Sequence, residues 1–251
     1  MTSKQATLLL IRLSLGIIYL TSGLSKLAPE HLGNIIGPVG LEKAFSVYGI
    51  AIFIDITALI QILVGALCLS QRYAILGLVI LFPLSVGIFI FTLVAGFGLT
   101  PIINALLLAL LLYALVAEKE AVQKLVKFKI QGLRSSNPYL SYSNKKIPDL
   151  ALILVCLTSV LSFLEGLILN LLATISFILF FINLFQRKDY LFLDYLILAT
   201  FFLVSFIIVN AMVLNRFIPK AFYVVFFLIP IGFILYMARI IYWKLVSRNH
   251  K

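Results

Sequence analysis

Residues 7–27 read TLLLIRLSLGIIYLTSGLSKL, an apolar run that carries an arginine within it and a lysine near its end. A helix needs about 20 mostly apolar residues to cross a bilayer, so this stretch sets the fold class as a helical membrane protein. At about 100° per residue, Arg12, Gly16, Tyr19, Gly23 and Lys26 all fall within about 40° of one line along the helix, and the other faces are largely Leu and Ile. A charge well inside an apolar span costs roughly 2.5–3.5 kcal/mol on insertion scales, so Arg12 is expected to face protein or water instead of lipid. The stripe is therefore the first candidate for a functional surface.

Composition extends this reading to the whole chain. Of 251 residues, 63% are hydrophobic and 12% charged, and the mean hydropathy of +1.16 lies far outside the soluble range. Long unalternated apolar runs give helices, not a barrel. The net charge of +11 follows membrane topology, so membrane lipid is an expected partner and nucleic acid is not. Cys68 and Cys156 lie inside apolar runs with no CxxC pair, which argues against a disulfide framework or a zinc site. The N-terminal run carries Arg12 and has no small-residue cleavage site, so it is read as a retained span.

After a broken loop at 28–48, which contains His31, the second span is expected at 49–69. There Thr57, Gln61, Gly65 and Cys68 share a small, polar face suited to close helix contact, with Asp55 about 120° away. The third span, 73–95, contains Pro83, which should kink or loosen it. The turn GFGLTP leads into a fourth span at 101–117 with Asn104 as its main polar group. Residues 1–117 thus make a four-helix domain, and 118–148 a basic loop in which Val122, Leu125, Val126 and Leu133 form an interfacial helix face beside Lys124, Lys127 and Arg134. The stretch RSSNPYLSYSNKKIP reads as a linker.

Residues 149–251 form a second membrane region of about four spans. As one helix, 149–185 would be about 55 Å long against a hydrocarbon core of about 30 Å, so a hairpin near Glu165 is expected. Spans at 190–214 and 219–243 follow. Eight spans put sixteen basic residues on the side of both termini, against Lys26, Lys43, Arg216 and Lys220 on the other. That asymmetry places the termini in the cytoplasm, and seven spans remain the alternative.

No nucleotide-binding, zinc-protease or catalytic-triad motif is present, so autonomous catalysis is not expected. If spans one and two are antiparallel neighbours, Arg12 and Gln61 lie at similar depths, about 20 Å below the outer ends, and should hydrogen-bond. Asp55, only about 10 Å down, is closer to Lys26. Asn170, Asn183, Asn210 and Asn215 are expected to bond between helices or at the interface.

The pattern RLSLGIIYLTSGLSKL, with Arg12, Gly16, Gly23 and Lys26, followed by QILVGALCLSQRYAILGL at 61–78 and a fourth span introduced by GLTP, resembles the DoxX-like membrane proteins, a group that includes MauE. The resemblance covers roughly residues 6–117. It implies a four-helix membrane bundle linked to redox or protein-maturation tasks, with a quinone as the implied cofactor. The chain departs from the family in carrying Gln61 where Glu is common, and AGFGLTP where MauE-like members carry a cysteine-rich segment. Without a paired dithiol the chain is not expected to exchange thiols itself.

The resulting expectation is a protein of the cytoplasmic (inner) membrane that supports redox reactions or maturation of a membrane or envelope partner, holding that partner or a quinone-like lipid through Arg12, Gly16, Tyr19, Gly23, Lys26, Asp55, Gln61 and Asn104. A small-solute transporter rocking at Pro83 and Pro230 is the alternative, and a structural subunit of an envelope assembly a third.

Overall fold

A computed structural model describes residues 1–35, 51–127, 146–162, 167–187 and 190–249. The described residues form ten helices and no strand: α1 Ser3–Leu27, α2 Ala51–Ser70, α3 Ala74–Val94, α4 Thr100–Ala117, α5 Lys119–Val126, α6 Lys146–Val160, α7 Leu167–Phe185, α8 Phe192–Val209, α9 Ala211–Phe217 and α10 Tyr223–Asn249. Seven of these are long and apolar enough to cross a membrane, making the protein an all-α polytopic bundle. Glu165, Leu133, Arg134, Lys43, Lys188 and most of the 134–148 linker lie outside the described residues.

α1 begins in a capping box. Thr2 Oγ1 accepts from the Gln5 amide and Gln5 Oε1 accepts from the Thr2 amide, which satisfies two otherwise orphaned donors. The helix then runs through the middle of the protein. It is buried along 78% of its most apolar stretch, against 17% for α10.

Two apolar cores share α1. Its Leu8, Ile11, Leu15 and Tyr19 pack with α2, α3 and α4, while its Leu9, Leu13, Ile17 and Leu20 pack with α2, α6, α7 and α8. The first four helices thus pack together, and their central helix also carries the second half.

The crossing of α1 on α2 is close because it is built on glycine. A Cβ on Gly65 would come within 2.8 Å of Leu20 Cα, and one on Gly23 within 2.6 Å of the Ala58 carbonyl oxygen. Small residues at these positions let the backbones meet and gain dispersion contacts that lipid cannot replace. Between α3 and α4, Gly96 and Gly98 have φ of +67° and +54°, a backbone region that glycine occupies without Cβ strain. α3 continues across Pro83, whose missing N–H deprives the Val79 carbonyl of its usual helical donor.

Residues 149–185 do not form one long helix. α6 ends at Val160, α7 starts at Leu167, and the two pack against each other. α6 has only 15 described residues, about 22 Å at 1.5 Å each, and so falls short of a full span by length. Contacts nevertheless place its ends: Asp149 pairs with Arg72, while Asn170 early in α7 donates to the carbonyls of His31, at 2.8 Å, and Val209, at 3.3 Å. Arg72 follows α2, and His31 follows α1. The described helices therefore traverse the bundle eight times, seven of them long enough to span a membrane and α6 as the short traverse.

Both described ends meet. Arg239 of α10 donates to the Met1 carbonyl at 2.8 Å and to Asp194 Oδ1 at 2.7 Å, and Tyr236 shares a hydrogen bond with Thr7 at 2.6 Å. An even number of traverses brings both ends to the same side of the bundle, which lets these contacts form.

Candidate functional site

The stripe on α1 is divided among three neighbours. Arg12 pairs with Glu118, the residue that caps the C-terminal end of α4, and both side chains are almost wholly buried. Tyr19 shares a 2.7 Å hydrogen bond with Ser85 of α3. Lys26 Nζ donates to Gln61 Oε1 of α2 at 2.8 Å, to Ser22 Oγ at 2.7 Å and to the Ser22 carbonyl at 3.1 Å. Gly16 and Gly23 occupy the side pressed on α2.

The expected bond between Arg12 and Gln61 is not formed, because equal Cα depth was the wrong criterion. Side chains on a helix lean toward its N-terminus, so Arg12 reaches away from Gln61 toward Glu118 and Lys26 reaches down to Gln61. The Lys26 contact with Ser22, one turn earlier, records that lean directly.

Above Tyr19, α1–α4 line a partly open cavity of about 400 Å³. Tyr19, Ser22, Lys26, Thr57, Gln61 and Asn104 contribute its main polar groups, while α2, α3 and α4 supply apolar walls such as Ile60, Leu84, Ile88 and Leu107. Pro83 and Gly87 also line it, and a Cβ on Gly87 would meet nothing within 4 Å. Asn104 Nδ2 donates to Thr92 Oγ1 at 3.1 Å, which ties α4 to α3 beside the cavity.

Of the eight residues expected to form one stripe, Tyr19, Lys26, Gln61 and Asn104 converge on this cavity. Gly16 and Gly23 build the helix crossing that forms its back. Arg12 belongs to a separate pair nearer Met1, and Asp55 is partly exposed and does not join the wall. No protein-family model, curated protein or solved structure matches the chain.

Sequence reading missed Glu118, Ser22, Ser85 and Thr92 as partners. Glu118 carried a usable signal: the chain has only nine acidic residues, and this one directly follows the fourth span. It also missed the ion pair of Asp194 and Arg239, which are 5% and 0% exposed. Cys68 is buried in α2 and Cys156 is exposed on α6, both as free thiols. Val122 and Leu125 of α5 are partly buried, Val126 is exposed, and Lys124 and Lys127 face out.

Proposed function

We propose that the protein is a DoxX/MauE-like membrane protein that supports redox reactions or maturation of a partner protein by holding a quinone-like lipid in the α1–α4 cavity. The observation that carries this reading is a roughly 400 Å³ cavity with mostly apolar walls and a few converging polar groups at Lys26, Gln61 and Tyr19. Small-molecule sites have this make-up and typically hold about 300–1,000 Å³. An amphipathic ring with two carbonyl acceptors could take hydrogen bonds from Lys26 or Tyr19 while its tail lies against Ile60 and Ile88. The apolar walls favour a lipid-like occupant over the hydrophilic solute that a transporter would carry.

Cys68 and Cys156 sit on separate helices, so the reading assigns thiol exchange to the partner and a supporting role to this chain. The excess of basic residues flanking α5 and at the end of α10, near Met1, supports a reading in which both termini lie at the cytoplasmic face of the inner membrane.

Photolabelling of the purified protein by a short-tailed azido-benzoquinone tests the ligand. Saturable labelling of peptides spanning 53–61 and 83–91 is expected. Labelling that does not saturate, or that falls on α6–α10, would refute the assignment.

A further inference from the structure

The three donor hydrogens of Lys26 all point to neutral oxygens: Gln61 Oε1, Ser22 Oγ and the Ser22 carbonyl. Among the described residues ion pairs join Arg12 to Glu118, Arg72 to Asp149 and Arg239 to Asp194, and no described carboxylate neutralises Lys26. Asp55, on the adjoining helix, does not line the cavity. A cation on an apolar cavity wall without a counter-charge is unfavourable, and an entering anion would relieve it.

Gln61 adds a second donor. Because Oε1 is turned toward Lys26, the amide must present its Nε2 hydrogens elsewhere, and that nitrogen has no hydrogen-bond partner among the described residues. Most of the remaining wall is apolar, with Ile18, Ile60, Leu84, Ile88, Phe91 and Leu107, and hydroxyl and amide groups such as Tyr19, Ser22, Thr57 and Asn104 interrupt it.

We propose that the cavity takes a single-chain amphiphile with a carboxylate head, a fatty-acid anion, whose two oxygens accept from Lys26 Nζ and Gln61 Nε2 while its chain lies along the apolar wall. The carboxylate replaces one neutral acceptor on Lys26 and adds the opposite charge that the described residues do not supply there, while its bond from the neutral Gln61 amide becomes charge-assisted. One ammonium beside one amide matches a singly charged, planar, two-oxygen head. The inference rests on the reading of the cavity as a site for amphiphilic lipids, and it makes a fatty-acid anion a second occupant that competes there with a quinone.

The test uses the full chain in phosphatidylcholine nanodiscs at pH 8, titrated with a fluorescent polyene fatty acid and with its methyl ester, each then challenged by a decyl-tailed benzoquinone. The acid is expected to bind about tenfold tighter than the ester, the scale of one charged hydrogen bond. Lys26→Met and Gln61→Glu should each collapse that ratio toward one, the second because it supplies the missing carboxylate from within. Lys26→Arg should keep a preference for the acid. Equal binding of acid and ester, with both displaced by the quinone, overturns the carboxylate inference and leaves the lipid site standing. If no probe binds saturably, both fall.

Discussion

Glu118→Gln removes the negative charge facing Arg12 without changing shape. The two side chains are 1% and 4% exposed, so water cannot take the place of the lost carboxylate. Breaking a buried ion pair by neutralising one member costs about 3–5 kcal/mol, whereas replacing both by apolar residues of similar volume is often neutral or better. The single variant should therefore lose about 3–5 kcal/mol, and Arg12→Met combined with Glu118→Leu should recover most of it. Reversible unfolding in bicelles, followed by circular dichroism, reads both quantities. A Glu118→Gln protein within about 1 kcal/mol of the native one, the range of an exposed pair, would refute the reasoning. So would a double variant no more stable than the single one.

Other consequences are equally open to measurement. Gly65→Val should separate α1 from α2, because even a Cβ there collides with the Leu20 backbone, and a cysteine cross-link between the two helices should lose efficiency. Asp194→Asn exposes the difference between buried and surface pairs: it should destabilise by about 3–5 kcal/mol, while Asp149→Asn, whose side chain is 43% exposed, should cost less than about 1 kcal/mol in the same unfolding assay.

The helical fold was legible because bilayer thickness imposes a length on apolar runs, and 7–27 or 101–117 can satisfy it in few ways. The turn between 149 and 185 was legible for the same reason, since one helix would overrun the hydrocarbon core. The stripe was legible because Arg12, Tyr19 and Lys26 recur every seven residues, so they stay on one side of α1. Their partners were not, because a neighbour's identity depends on the lean of long side chains and on which helices touch. Neither quantity is periodic in sequence. Glu118 read as the start of a hydrophilic loop, and Asp194 and Arg239, 45 positions apart, met only through the packing of α8 on α10.

Lipid extracted from the native protein gives the most direct test of the cavity as a binding site. Gly87 lines the space and a Cβ added there meets nothing, so Gly87→Phe should fill the cavity without disturbing the backbone. Mass spectrometry of lipids co-purifying with the wild-type protein should find one amphiphile enriched over the surrounding membrane, and Gly87→Phe should lose it while remaining folded. The same lipid profile in a folded Gly87→Phe protein would contradict the account.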